Sequence, residues 1–156
     1  MRKVILKLAL ICVMVLAMSS PAFADSGENL TTEYLPDGSY YETIIETSSP
    51  SFSLFATSST KSGSKTVNYK NSSGTVLWYV KVSGSFTYNG STSSCTSSTV
   101  TAASQSSYWT ISGKSASKSG NVATASATAK RYSGSIVVQT VNETIHLTCS
   151  ANGTLS

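Results

Sequence analysis

From Val76 to Tyr88 the chain alternates without a slip. The even positions read Val76, Trp78, Val80, Val82, Gly84, Phe86 and Tyr88, and the odd positions read Leu77, Tyr79, Lys81, Ser83, Ser85 and Thr87. Successive side chains of a β-strand point to opposite faces, so this run predicts a strand with one face in a core and one mostly wet. The run is long for one strand. A bend is expected at Ser83-Gly84-Ser85, where Gly84 leaves a gap in the core face, and Asn89-Gly90 then turns the chain. Val122 to Lys130 alternates again, with Ala123, Ala125, Ala127 and Ala129 on one face and mainly Thr and Ser on the other. Small residues there are suited to accept Trp78 or Phe86 from a facing sheet. Ile136 to Cys149 reads as strand throughout, or as two strands broken near Asn142, with Val137, Gln139, Val141, Glu143, Ile145, Leu147 and Cys149 on one face.

The weaker segments complete an all-β reading. Leu35-Pro36-Asp37-Gly38-Ser39 is a turn in which proline presets one dihedral and glycine takes positive φ, so Thr31 to Leu35 and Ser39 to Glu46 are candidates for a hairpin. Phe52 to Thr57 and Lys65 to Lys70 are short strand candidates, and Asn71-Ser72-Ser73-Gly74 is a hairpin-type loop. Ser91 to Ser107 is expected to hold one weak strand and a loop, and Tyr108 to Ile111 a short strand. Roughly seven to nine half-apolar strands with no helix predict an antiparallel β-sandwich, which buries such faces against one another.

The N-terminus is expected to be removed. Arg2, Lys3 and Lys7 form a positive region, Leu8 to Met18 an unbroken apolar run, and Ala22-Phe23-Ala24 a small-residue cleavage site, so residues 1–24 read as a secretory signal cut between Ala24 and Asp25. Cys12 sits inside the apolar run after Ile11, which argues against lipidation. The run is too short to span a bilayer, and no later stretch is apolar enough to do so. Cleavage removes three bases from a formal charge of +4 and leaves a nearly neutral chain, so charge makes no case for nucleic acid. Six of the seven acids precede Thr47 and the remaining bases follow Pro50. The segment 25–49 therefore reads as an acidic leader, packed on or tethered to a β-sandwich domain at 50–156, rather than as evidence of an anion site.

Candidate chemistry is sparse. Cys95 and Cys149 remain after cleavage, and an even pair in an exported chain predicts a disulfide, with two separate buried thiols as the alternative. His146 is the one histidine, and on a regular strand it shares a face with Thr144 and Thr148, away from Glu143 and Cys149. That is the setting of a solvated histidine, not a catalytic one. Glu42 and Glu46 can share a strand face, but nothing holds two acids across a cleft as a glycosidase requires. Metal-ligand spacings, phosphate-binding glycine loops and nucleophile elbows are absent from the sequence, so no cofactor is expected. Tyr79, Tyr108 and Trp109 are the candidate ligand contacts, because exposed aromatics on a sandwich stack on sugar rings or anchor a partner; packing in a second core is the plainer reading.

The signal, Leu35-Pro36-Asp37-Gly38-Ser39-Tyr40, Gly74-Thr75-Val76-Leu77-Trp78-Tyr79, Phe86-Thr87-Tyr88-Asn89-Gly90 and Leu147-Thr148-Cys149-Ser150-Ala151-Asn152-Gly153 together resemble an uncharacterised family of short secreted proteins from Gram-positive bacteria, a domain of unknown function. The resemblance implies export and a β-rich fold and carries over no activity or site residue. The expectation is a secreted, non-enzymatic binding or surface protein whose partner is a cell-wall carbohydrate or a surface protein. The alternative is a secreted antimicrobial or toxin-like polypeptide.

Overall fold

The computed structural model describes residues 29–48 and 58–156. The expected signal with its Ala24–Asp25 cleavage point and the candidate strand at Phe52 to Thr57 lie outside the described residues. Eight strands follow one another: β1 (Asn29–Tyr34), β2 (Tyr40–Thr47), β3 (Ser59–Lys70), β4 (Val76–Tyr88), β5 (Ser93–Ser104), β6 (Trp109–Ser119), β7 (Val122–Ser133) and β8 (Ile136–Thr148). They form a five-stranded sheet in the order β1-β2-β3-β4-β5 and a three-stranded sheet in the order β6-β7-β8, each strand antiparallel to its neighbour. The fold is the expected all-β sandwich. The β1–β2 hairpin continues the larger sheet, with β2 paired to β3 from Tyr40↔Lys70 to Thr47↔Gly63.

The core is the meeting of two alternations. Trp78, Val80, Val82 and Phe86 of β4 are buried against Ala123, Ala125, Ala127 and Ala129 of β7, with Ile145 and Leu147 of β8 beside them. Methyl groups on β7 leave depth for the rings of β4, so large and small residues interlock across the gap between sheets. At one end Tyr41, Tyr69, Trp78 and Trp109 make a continuous aromatic cluster, with Tyr69 stacked on Trp78 at 5.3 Å and Trp109 6.0 Å from Trp78. Such pairs add roughly 0.5–1.5 kcal/mol each beyond the area they bury.

β4 continues through Gly84 as one strand, Val76–Tyr88. The ladder to β3 is unbroken there, at Gly63↔Gly84, and the irregularity lies instead on the β5 side, where Ser85↔Ser97 and Phe86↔Cys95 leave Thr96 as the extra residue. Gly84 is required for close approach: a Cβ would stand 2.8 Å from the Phe86 ring and 2.9 Å from the Ala123 methyl. β5 and β6 are also longer than the sequence suggested. Most of β6 is exposed, and an exposed Ser/Thr strand carries no apolar alternation to reveal it.

The two lateral sides of the sandwich differ. Where β5 and β6 adjoin, Lys114 Nζ donates to Ala102 O at 3.1 Å and Lys118 Nζ to Thr96 O at 2.7 Å, so two lysines tie the sheet edges together. A bulge opposite Ala127, with Gly113 at φ 60°, brings Lys114 to this position. On the other side β8 packs beneath β3 and β4, and β1 and β2 project beyond it. Gly84→Val should lower stability by about 1–3 kcal/mol through overpacking, read as a lower urea midpoint with an unchanged slope.

Candidate functional site

The turn β1–β2 and the loops β3–β4, β5–β6 and β7–β8 gather at the aromatic end, because every strand of the meander reverses there. Between them lies a cleft of about 460 Å³ lined by Asn71, Leu77, Ser106, Tyr108, Trp109, Arg131, Tyr132, Ser133 and Gly134. The volume falls within the ordinary range of small-ligand sites. The β5–β6 loop is pinned on both sides: Gln105 N donates to Leu77 O at 2.9 Å, Trp109 N to Ser106 O at 3.2 Å, and Tyr132 N to Tyr108 O at 2.8 Å. Tyr108 is 68% exposed on this fixed backbone, while Trp109 is 4% exposed. Arg131 is the one charged residue in the lining. Across the pole Asp37 is held below the usual carboxylate range, first by the Ser39 hydroxyl and then by the Ser39 N–H, with a lesser contribution from Arg131. Tyr69 donates its hydroxyl to Ser39 Oγ at 3.0 Å, which fastens this turn to the aromatic core.

The expected aromatic contacts are therefore divided. Tyr108 and Trp109 come together in the cleft; Tyr79 lies half-buried on the outer face of the larger sheet, between Asn68 and Ala103. Tyr132, another of the aromatics that stand out in the sequence, joins them, and Arg131 and Asn71 join the site without having been singled out. Their only signal in the sequence was position, at the end of an alternating run or in a Ser/Gly-rich loop.

The expected Cys95–Cys149 disulfide is not formed; both residues are buried free thiols. Each cysteine's backbone hangs from the β6–β7 turn, Cys95 N on Gly120 O at 2.7 Å and Cys149 N on Asn121 O at 3.0 Å. Each thiol instead turns to a carbonyl in its own segment, Cys95 Sγ to Ser97 O at 3.2 Å and Cys149 Sγ to Ser150 O at 3.4 Å. Burial raises both thiols above their ordinary value, which keeps them protonated and poorly nucleophilic. His146 is exposed, its Nδ1 3.0 Å from Thr124 Oγ1 across the ladder. Glu42 and Glu46 lie on the outer face and are engaged by Lys70 at 2.7 Å and Lys81 at 3.0 Å. Among the described residues no three His, Cys, Asp or Glu side chains assemble as a metal site, and no helix is long and apolar enough to cross a membrane.

A second cluster occupies the open lateral side. Glu143 lies on the inner face of β8, across from Ala127, and Glu33 lies on β1 opposite Tyr41. Burial and then the Glu33 charge raise the Glu143 carboxyl above its ordinary value of 4.5, and burial with Glu143 as the next cause pushes the Tyr41 hydroxyl up to about 12. Comparison with protein-family models, curated proteins and solved structures finds no match.

The Glu143 shift has a sign that can be measured. Above pH 4.5 the folded chain keeps a proton that the unfolded chain has released, so this group's contribution to stability falls as pH rises through its raised value. Glu143→Gln should remove that slope and melt higher than wild type at pH 7, while the two proteins converge near pH 4 in thermal denaturation.

Proposed function

We propose that the mature chain is an exported, non-enzymatic binding module that takes a sugar ring in the cleft at its loop pole. The observation that carries this reading is the placement of Tyr108 on a backbone held from two sides, beside Tyr132 and among the polar groups of Asn71, Ser106 and Arg131. A pyranose presents an apolar face to an aromatic ring and hydroxyls at its rim, and this lining offers both kinds of contact. Pinning the loop before the ligand arrives reduces the ordering cost of binding. Export is supported by the basic start, the apolar run and Ala22-Phe23-Ala24, and it makes cell-wall carbohydrate the polysaccharide within reach.

Titration calorimetry with soluble cell-wall oligosaccharides tests the proposal. Wild type should bind saturably. Tyr108→Ala should weaken binding about tenfold or more, a loss of roughly 1.4 kcal/mol, and Tyr79→Ala should leave it unchanged. Binding that survives Tyr108→Ala but is lost in Tyr79→Ala would move the site to the outer sheet face and contradict the reading.

A further inference from the structure

The smaller sheet has a strand position that the described residues leave unfilled. β8 pairs with β7 along one side; on its other side it meets, among the described residues, only the tail, where Thr148 and Ser156 exchange backbone hydrogen bonds of 2.9 and 3.0 Å and Cys149 bridges to Leu155. This short pairing fixes which groups face outward. Backbone groups alternate sides along a strand, and the register with β7 is unbroken from Gln139 to Thr148. Since Thr148 faces the tail, the N–H and C=O groups of His146, Thr144, Asn142 and Thr140 face the same open edge, and those of the odd residues face β7.

The other exposed edges are blunted. β5 and β6 are tied by Lys114 and Lys118, β1 spans 6 of the described residues, and the start of β8 is interrupted by a bulge at Val138, between Gln139↔Arg131 and Val137↔Tyr132. The stretch from Thr140 to His146 has no such device. It is roofed instead by the projecting inner faces of β2 and β1, which carry Tyr41 and Thr43, and Thr31 and Glu33. Two strands project, a width of roughly 10 Å, which accommodates one added strand or a hairpin. A β8-to-β8 pairing with a second copy is disfavoured, because that copy's own five-stranded sheet would fall where the β1–β2 hairpin already lies.

We infer that the Thr140–His146 edge of β8 accepts an extended peptide strand that places a lysine or arginine between Glu143 and Glu33. Glu143 lies on the inner face of β8 at the middle of this stretch and makes no hydrogen bond or ion pair among the described residues, and Glu33 lies on the inner face of the overhanging β1 with none either. The Glu33 charge adds to the cost of ionising the half-buried Glu143, and a cation placed between the two offsets that cost. β3 has two inward cations: Lys65 pairs with Ile45, four residues along β2 from Tyr41 and so roughly 13 Å away, and Lys61 lies four residues farther along β3. Main-chain bonds supply the affinity and the carboxylate pair the choice of sequence, as in other strand-addition sites.

The test uses mature protein and two fluorescein-labelled, end-blocked peptides in fluorescence anisotropy. One is Thr-Val-Thr-Lys-Thr-Val-Thr, and the other carries Glu in place of the central Lys. The Lys peptide should bind saturably and at least tenfold more tightly than the Glu peptide. Glu143→Lys should reverse the preference. Thr144→Pro removes an N–H that faces the slot and none that faces β7, so it should stay folded and weaken the Lys peptide at least tenfold. If that variant does not fold, the Glu143→Lys reversal decides the question. Equal binding of the two peptides, binding of neither, a preference unmoved by Glu143→Lys, or a wild-type dimer held through β8 would each overturn the inference.

Discussion

Trp78 and Phe86 are buried between the sheets only because the strand that faces them is lined with methyl groups. Ala123, Ala125, Ala127 and Ala129 set both the spacing and the alignment: they fix β7 as the centre of the smaller sheet, opposite β4 and β5. The remaining geometry follows from that alignment. With β7 under β4 and β5, β6 falls beside the β5 edge, where Lys114 and Lys118 reach across. β8 falls under β3 and β4, and β1 and β2 are left projecting. Five strands cannot be covered by three, and the deficit lies wholly on one side.

The same alignment brings the loops to one pole. Trp109 enters the core beside Trp78 and draws the β5–β6 loop down to β4 at Leu77, while the Tyr108 carbonyl receives the Tyr132 N–H from β7. Tyr108 is thereby presented to solvent from a backbone anchored in both sheets. The cleft and the open edge are therefore products of one packing arrangement. One is an aromatic pocket between loops, the other a backbone edge beside two acids, and they suit different ligands.

Legibility in the sequence followed burial. The strands whose faces differ sharply, β4, β7 and the second half of β8, were readable residue by residue, including the role of the alanines. β5 and β6 were understated, since serine and threonine on both faces leave no contrast although they are at home in an exposed strand. The Gly84 gap was visible, but what fills it was not: the glycine admits the Phe86 ring and the Ala123 methyl. The cysteines show the limit of counting, because parity and compartment say nothing of where each thiol points. The cleft was half legible. Tyr108 and Trp109 stand out as aromatics, but Tyr79 stood out equally, and only the pairing of strands separates an outer-face ring from a polar one. Which edge would be open could not be read at all, because it depends on how two sheets are offset.

The most direct test is residue-resolved amide hydrogen exchange along β8. Val141, Glu143, Ile145 and Leu147 bond toward β7 and should exchange slowly. Asn142, Thr144 and His146 face the open edge and should exchange many times faster, while Thr148, bonded to Ser156, should be slow again. Uniform protection of Asn142, Thr144 and His146 at the level of their neighbours would show that edge to be covered and would contradict the one-sided closure on which the account rests.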